Sequence, residues 1–247
     1  MMEIPVEQRN QHERDFFDQL AHNQCEYWGC QTKTGHYRLE IRAHLACQYV
    51  HFTKGMNVVD LGCGLGAFTK YLTVYPATFY ALDISPTSIS FAKKHIIAKN
   101  VNFLVQDANH MQFPDNFFDA VIGNATLHHL DLSRALPEIK RALRSRGKLF
   151  FTEPNMVNPE IWLERKVQFI RRFVRNSPDE TAFYRWQIKE RIQEAGFTNV
   201  SVVPFDFLYP AIPAFLISPM KVVSDLLEKI PLIKEIAGSL LITAQKP

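Results

Sequence analysis

Val58-Val-Asp-Leu-Gly-Cys-Gly-Leu-Gly66 is the stretch that decides the fold of this chain. An apolar strand ends at the acid Asp60 and leads directly into three glycines that alternate with larger residues. Glycine adopts positive φ angles and, because it lacks a Cβ atom, lets the main chain approach a ligand closely. Residues 67–72 then have helical character, and the N-terminus of that helix faces the same turn. The stretch predicts a ligand site formed by backbone atoms beside Asp60.

Two ligand classes fit such a turn. Gly62, Gly64 and Ala67 satisfy the G-x-G-x-x-A pattern of dinucleotide-binding proteins, and Asp83 is the acid expected at the end of the next strand. A carboxylate at Asp60, however, repels a nucleotide pyrophosphate at close range and attracts a cation. The charge pattern favours S-adenosylmethionine, which carries a sulfonium and an ammonium group and offers ribose hydroxyls to Asp83. A tight strand-to-helix turn without any ligand is the structural alternative.

Short apolar strands alternate with amphipathic helices beyond this turn. The pattern predicts strands over 57–60, 78–83, 101–106, 118–122 and 148–152, and helices over 67–72, 86–99 and 132–143. Two helices, over 14–28 and 37–52, are expected before the first strand, and two strands, over 200–207 and 239–246, in the tail. Parallel strands joined by right-handed helical crossovers form a sheet covered on both faces. The predicted fold class is α/β, a Rossmann-like doubly wound sheet.

Polar residues follow the predicted strands at their carboxyl ends, where ligands bind in sheets of this kind. They are Asp60, Asp83, Asp107, Asn124 and Glu153. A purely structural sheet does not need an acid at nearly every strand exit. The pattern indicates a site for a ligand that is cationic at one end and carries hydrogen-bonding rings.

Length and composition limit the possible domain organisation, partners and location of the protein. The chain has 247 residues, of which 47% are hydrophobic and 21% charged, enough for one large core with an appended cap. Its formal net charge of +3 is too small to indicate a nucleic-acid partner. Residues 1–14 are polar and mix acids with bases, which is not typical of a secretory signal. We therefore expect a cytoplasmic protein, and the sequence does not predict its oligomeric state.

The cysteines do not indicate a metal site. All lie in the first quarter of the chain without the paired C-x-x-C spacing of zinc ligands: Cys25, Cys30, Cys47 and Cys63. We interpret them as reduced thiols, with Cys63 filling a small position inside the glycine turn.

Seven short motifs occur in order along the chain. They are Val58-Val-Asp-Leu-Gly-Cys-Gly-Leu-Gly66, Ala81-Leu-Asp-Ile-Ser85, Gln106-Asp-Ala108, Phe113-Pro-Asp-Asn-Phe-Phe-Asp119, Leu127-His-His-Leu130, Arg146-Gly-Lys-Leu149 and Glu194-Ala-Gly-Phe197. In this order and spacing, residues 55–196 resemble the class I S-adenosylmethionine-dependent methyltransferases. Within that class they are similar to the small-molecule and quinone branch, the type 11-like methyltransferases. The resemblance implies methyl transfer from S-adenosylmethionine, with S-adenosylhomocysteine as the product.

The resemblance also implies a role for each cofactor-binding position. Asp60 and the turn that contains Gly62, Cys63 and Gly64 hold the methionine part of the cofactor. The adenosine part is assigned to four further residues: Asp83 for the ribose hydroxyls, Ile84 for the adenine face, Asp107 for the adenine amino group, and Ala108 for a backbone hydrogen bond. Asn124 is expected beside the reactive methyl group. Capping of a helix is the structural alternative for Asp107.

The implied fold is a seven-stranded sheet, mostly parallel, with a reversed last strand. We expect residues 1–54 to form an N-terminal helical lid and residues 55–247 to form the methyltransferase domain. Helical cap insertions are expected at about 155–181 and 208–238, the second containing one amphipathic helix among its prolines.

Catalysis requires a base only if the acceptor loses a proton. The candidate is His128 in the pair His128–His129, because imidazole titrates near neutrality and the matching position in several relatives faces the acceptor. His129 is expected to orient the loop or to cap the next helix, and a purely structural role for both is the alternative. Glu153 could orient an imidazolium or hold an acceptor amine. A metal is not expected, because residues 124–129 lack the acids that metal-dependent relatives place there.

The acceptor is predicted only as a small or lipophilic molecule that receives a methyl group on oxygen, nitrogen or carbon. Tyr27, Trp28 and Tyr37 are candidates to cover it, although core packing is the alternative for each. Residues 160–176 interleave apolar and basic side chains. Such a helix either contacts an anionic membrane surface or packs over the pocket as a cap.

Two other functions compete with methyl transfer. An NAD(P)-linked oxidoreductase uses a similar glycine pattern but leaves Asp60 and Asp107 without a purpose. A binding protein that keeps the cofactor fold without turnover is the second alternative, and intact motifs argue against it.

Overall fold

A seven-stranded sheet forms the centre of the protein. In the computed structural model, which describes residues 6–20, 31–166 and 182–247, the strand order is β3-β2-β1-β4-β5-β7-β6. The strands are Asn57–Leu61 (β1), Thr78–Asp83 (β2), Val101–Val105 (β3), Phe118–Asn124 (β4), Leu143–Pro154 (β5), Thr198–Phe205 (β6) and Ser239–Gln245 (β7). The first five pair in parallel, and β7 lies antiparallel between β5 and β6. The predicted fold class is confirmed, including the reversed last strand.

Helices cover both faces of the sheet. They are Val6–Leu20 (α1), Lys33–Val50 (α2), Thr69–Leu72 (α3), Pro86–His95 (α4), Leu132–Ala142 (α5), Pro159–Lys166 (α6), Arg185–Glu194 (α7), Ile217–Leu227 (α8) and Pro231–Lys234 (α9). Because side chains alternate across a strand, Val58 packs with α2 and α3 while Val59 packs with α5 and α7. The two apolar layers hold β1 and β4 at the centre, where both strands are buried.

The predicted strands match the observed ones closely, and the differences have local causes. The helix expected over 86–99 ends at His95, because the next residue, Ile96, turns inward and packs against the cluster that contains Phe103. The strand expected over 148–152 begins at Leu143, where it pairs with Phe118 before an irregularity in the ladder. The helix expected from residue 14 begins at Val6. Its first turns are too polar to show helical periodicity.

The insertion at 208–238 contains α8 and the short α9 instead of a single helix. Pro231 occupies the first turn of α9, where its missing N–H is not needed for helical hydrogen bonds. Neither element is long or apolar enough to span a bilayer, and the same holds for every other helix in the described part of the chain.

Candidate active site

The glycine turn is tied directly to the end of β2. Asp83 accepts a hydrogen bond from the Gly64 backbone N–H at 2.8 Å and another from the Ser85 N–H at 2.9 Å. Gly62 has a φ angle of +67°, and a Cβ atom added there would lie 2.4 Å from Thr126 Cγ2. Both the backbone conformation and the lack of space therefore require glycine at position 62.

Asp60 is a buried acid at the end of β1. Its carboxylate accepts a hydrogen bond from the Thr69 hydroxyl at 2.6 Å, and the residue is 1% exposed. Burial raises the pKa of Asp60 to about 7, although the bond from Thr69 lowers it, and the charge of Asp83 adds to the increase. A cation bound near Asp60 would stabilise the ionised carboxylate and reverse this shift.

Asp83 and Asp107 continue the row of acids at successive strand ends. Burial raises the pKa of Asp83, whereas hydrogen bonds from the Ser85 and Gly64 N–H groups lower it. One oxygen of Asp107 accepts bonds from the backbone and side chain of Asn109, at 2.8 and 2.9 Å. The other accepts the side-chain amide of Asn10 on α1 at 2.6 Å. Asp107 therefore faces α1 across the edge of the sheet.

Glu153 organises the loop that comes after β4. Its Oε1 atom accepts the backbone N–H groups of Thr126 and Leu127, at 2.9 and 2.8 Å. Its Oε2 atom lies 2.6 Å from Nδ1 of His128, and both side chains are buried. A carboxylate that accepts two N–H groups on one oxygen is an acceptor on the other as well, so Nδ1 of His128 carries the proton. The lone pair of the imidazole is then on Nε2.

His129 belongs to a different set of contacts. Its Nδ1 atom lies 3.1 Å from the Glu13 carboxylate, and its ring packs edge-to-face on Phe17 with centroids 5.1 Å apart. The Arg9 side chain donates to the backbone carbonyl of His128 at 3.3 Å. These contacts attach α1 to the loop after β4, and a role of His129 in orienting this loop stays a prediction.

One cavity of about 850 Å³ lies along this edge of the sheet. All nine predicted cofactor residues line it: Asp60, Gly62, Cys63, Gly64, Asp83, Ile84, Asp107, Ala108 and Asn124. The predicted catalytic residues His128, His129 and Glu153 line it as well. Its volume is near the upper end of the range of about 300–1,000 Å³ for ligand pockets. The cavity has room for a cofactor and part of an acceptor.

The aromatic residues proposed to cover the acceptor have different outcomes. Tyr37 is half-buried on α2 and is absent from the cavity lining among the described residues. The lining face of α2 contains Gly35, Arg38, Leu39 and Arg42, at helical spacing, and position 37 points away from that face. Tyr27 and Trp28 lie outside the described residues.

Several residues that line the cavity were not identified as site residues from the sequence pattern. They come from α1, α2, α6 and the segment after β6: Asn10, Glu13, Phe17, Arg38, Arg42, Glu160, Glu164, Asp206 and Tyr209. Their elements reach the cavity only through the tertiary fold, and of these residues only Asp206, after β6, directly follows a strand. Within residues 6–20, 31–166 and 182–247, no cluster of three or more His, Cys, Asp or Glu side chains could hold a metal ion.

The donor and acceptor groups of the cavity fit S-adenosylmethionine. Asp60 is a buried acid, and no cation is among the groups that shift its pKa. Asp83 and Asp107 present carboxylates at adjacent strand ends, where the ribose and the adenine would be bound. The glycine turn allows the ligand to approach the backbone.

Residues 59–151 match the sequence profile of a family described as "Methyltransferase domain". This part of the chain therefore resembles a methyltransferase domain. Of the curated relatives, the fatty-acid O-methyltransferase of Mycolicibacterium smegmatis is 33% identical over 103 residues. The phthiotriol/phenolphthiotriol dimycocerosates methyltransferase 1 of Mycobacterium ulcerans is 31% identical over 102 residues. Each alignment covers 40% of this chain and 38% of the relative, so the chain spans about two fifths of the length of these curated methyltransferases.

The methyltransferase fold extends over nearly the whole chain. A crystal structure of an S-adenosylmethionine-dependent methyltransferase from Thermotoga maritima, described as a possible histamine N-methyltransferase, aligns with a TM-score of 0.68. The alignment covers 94% of this chain and 99% of that one, at 17% identity. At this identity the similarity shows the fold alone.

Proposed function

We propose that this protein transfers the methyl group of S-adenosylmethionine to a lipid-like acceptor. The observation that carries the proposal is the row of Asp60, Asp83 and Asp107 at successive strand ends in one cavity, beside a turn that only glycine can form. The burial of Asp60 with a raised pKa favours a ligand that brings its own positive charge. A nucleotide pyrophosphate would add negative charge beside an acid that is already destabilised.

When bound, S-adenosylmethionine supplies an electrophilic methyl group whose sulfonium charge disappears during an in-line displacement. Asp60 and Asp83 would hold the methionine part and the ribose of the cofactor, so that the reacting atoms are aligned before the acceptor arrives. His128 lies in the cavity wall and is 2% exposed, so little water would reach it beside a bound acceptor.

His128 is the proposed base for acceptors that lose a proton. Because Glu153 fixes the proton on Nδ1, Nε2 is the atom that accepts a proton from the acceptor. Glu153 acts through His128 and through the backbone of Thr126 and Leu127, so we assign it a positioning role. A carboxylate acceptor would need no base, and His128 would then shape the pocket.

The lipid-like acceptor is supported by relatives and by the surface around the cavity. Both curated relatives named above are methyltransferases whose names refer to fatty acids or long-chain lipids. Residues Tyr209, Pro210 and Ala211 line the cavity, and the same insertion continues into exposed Phe215 and Leu232. An apolar rim of this kind provides a path for a lipophilic molecule.

Peripheral membrane contact extends this proposal. The helix predicted to make it spans 160–176, of which residues 167–176 lie outside the described residues. In the described part, α6 presents Trp162 and Leu163 to solvent, 44% and 42% exposed. We expect salt-sensitive co-sedimentation with anionic liposomes, and its absence would remove this part of the proposal.

Isothermal titration calorimetry with S-adenosylhomocysteine and with NAD separates the competing functions. We expect S-adenosylhomocysteine to bind wild type and Asp83→Ala to lose at least about tenfold in affinity, because a charge-assisted hydrogen bond is removed. Asp115→Ala is the matched control, since Asp115 is exposed and pairs with Arg141 away from the cavity. NAD binding without S-adenosylhomocysteine binding would overturn the proposal. Binding of S-adenosylhomocysteine without turnover in a broad lipid acceptor screen would favour the non-catalytic alternative.

A further inference from the structure

A buried cluster of charges forms the wall of the cavity opposite the glycine turn. Arg38 Nε and Arg42 Nη2, both on α2, lie 2.8 and 2.7 Å from the same oxygen of Asp206, Oδ2. Arg42 also donates to the Ser239 hydroxyl at 2.9 Å. Arg38, Arg42, Asp206 and Ser239 all line the cavity. Two guanidinium groups therefore share one carboxylate.

Asp206 is held in a fixed position. It has a φ angle of +72°, which is uncommon for a residue other than glycine. Its Oδ1 atom accepts the Leu208 N–H at 3.0 Å, and its own N–H donates to Glu228 at 3.0 Å. Its backbone carbonyl accepts the Gly238 N–H at 2.9 Å. These bonds fix the carboxylate, which in turn fixes the two guanidinium groups.

The two guanidinium groups keep the shared carboxylate charged. Burial raises the pKa of Asp206, but the positive charges of Arg42 and Arg38 outweigh it and keep the carboxylate ionised. The Asp206 carboxylate is shared by the two cations in a wall where Arg42 and Asp206 are more than nine-tenths buried. Arg38 is bonded through Nε, and its two Nη atoms have no hydrogen-bond acceptor within the described residues.

The cluster lies close to the proposed reaction centre and to apolar wall residues. Ser239 on β7 pairs with Pro154 on β5, the residue directly after Glu153. The arginine cluster and the Glu153–His128 pair therefore line the cavity from the same end of the sheet, where β5 ends and β7 begins. Leu39 and the segment Phe207–Leu208 contribute apolar wall beside it.

Acidic residues on α6 place negative charge at the outer side of this site. Glu160 and Glu164 line the cavity together with Arg165. Tyr209 hydrogen-bonds Glu160, and this bond is the main cause of the raised pKa of the Tyr209 hydroxyl, whereas the charge of Arg38 lowers it. Glu160 is exposed at the rim, while Arg42 and Asp206 are buried behind it. An anion is therefore attracted to the inner wall and repelled at the rim.

We propose that Arg38, held by Asp206 beside Arg42, binds an anionic head group, a carboxylate or a phosphate, of an acceptor whose apolar tail lies along the cavity wall. That the bound molecule is a methyl acceptor rests on the proposed function, whereas the binding of an anion by Arg38 does not. A guanidinium group binds either anion through paired N–H donors that lie in one plane. The cluster therefore recognises the negative charge and the oxygen acceptors that carboxylates and phosphates have in common.

The test is calorimetric titration of dodecanoate, dodecyl phosphate and dodecanol, below their micelle-forming concentrations, with and without S-adenosylhomocysteine. We expect at least one anionic probe to bind wild type about tenfold or more tightly than dodecanol, because a charge-assisted hydrogen bond is gained. Arg38→Gln should abolish that preference and keep wild-type affinity for S-adenosylhomocysteine. Arg144→Gln is the matched control, since Arg144 pairs with Asp119 at the opposite edge of the sheet. Glu160→Gln should strengthen binding of the anion.

The outcomes are separable. Equal binding of dodecanol and both anions, no binding of either anion, or unchanged anion binding in Arg38→Gln would each overturn the anion site. A preference for dodecanoate or for dodecyl phosphate identifies which anion the cluster selects. Failure of S-adenosylhomocysteine to bind would overturn the proposed function, while the titrations without it would still report on Arg38.

Discussion

Oε2 of Glu153 lies 2.6 Å from Nδ1 of His128, and the two side chains are 0% and 2% exposed. The same carboxylate accepts two backbone N–H groups from the loop that carries the histidine. A single acid thus sets both the position of the loop and the tautomer of the imidazole. The loop after β4 and the end of β5 act as one unit because this contact joins adjacent strand ends.

Glu153→Gln tests the role of this contact. The glutamine carbonyl can keep the bonds to Thr126 and Leu127, but its amide would donate to Nδ1 and move the imidazole proton to Nε2. If the acceptor loses a proton, kcat should fall by about a hundredfold or more, with affinity for S-adenosylhomocysteine unchanged. Steady-state kinetics on an identified acceptor measures this. His129→Gln is the control, and an equal loss of kcat there would contradict the assignment of His128.

The raised pKa of Asp60 predicts how the stability of the folded protein changes with pH. Burial raises its pKa from 3.8 to about 7, so the folded protein retains a proton that the unfolded chain releases. The free energy of unfolding should therefore fall as pH rises from about 4 to about 7, because the folded state binds more protons in that window. Thermal unfolding across this range should show a smaller decline for Asp60→Asn. An identical decline in both proteins would contradict the shift.

Binding of a cationic ligand should depend on the same group. The ammonium of S-adenosylhomocysteine favours ionised Asp60, so its affinity for wild type should rise between about pH 6 and about pH 8. Titration calorimetry at several pH values checks this. Asp60→Asn should bind more weakly at the upper end and show little change with pH. A pH profile that is equally steep in Asp60→Asn would assign the effect to another group.

Gly62 and Gly55 form a matched pair for substitution by alanine. Both have positive φ, which costs an alanine about 1–2 kcal/mol. At Gly62 the new Cβ would also lie 2.4 Å from Thr126, whereas nothing lies within 4 Å at Gly55. We expect Gly62→Ala to lose about 1–3 kcal/mol more stability, as overpacking does elsewhere. Denaturant unfolding measures the difference, and equal losses would show that Thr126 moves aside without cost.

Phe17 tests whether α1 retains the cofactor. It lines the cavity and packs edge-to-face on His129. An aromatic pair contributes about 0.5–1.5 kcal/mol, so Phe17→Ala should speed dissociation of S-adenosylhomocysteine about two- to tenfold. Stopped-flow displacement provides the rate. Phe16→Ala is the control, because Phe16 is absent from the cavity lining among the described residues. Equal rates in wild type and Phe17→Ala would remove the lid role of α1.

Local sequence pattern was sufficient to predict the strands of the central sheet and the residues on one side of the cavity. The glycine turn, with Asp60 before it, is specified by neighbours in sequence, since φ and close approach depend on those residues themselves. Asp83, Asp107 and Glu153 could be grouped because parallel strands bring their carboxyl ends to one edge. Tyr37 lies off the cavity because its helix presents a different face, which the sequence did not reveal.

Sequence pattern alone predicted the fold class, the polar strand-end residues that line the cavity, and Glu153 as one candidate to orient an imidazolium, because each depends on strand periodicity and on the residues directly after a strand. Only the tertiary structure decided which residues complete the cavity. Arg38 and Arg42 meet Asp206 across 168 and 164 positions of sequence. No sequence periodicity connects residues that are so far apart in the chain. The first turns of α1 have no apolar helical pattern, because their polar side chains face the polar strand ends. The proposed site of the methyl donor therefore depends on local sequence, while the proposed site of the acceptor depends on long-range packing.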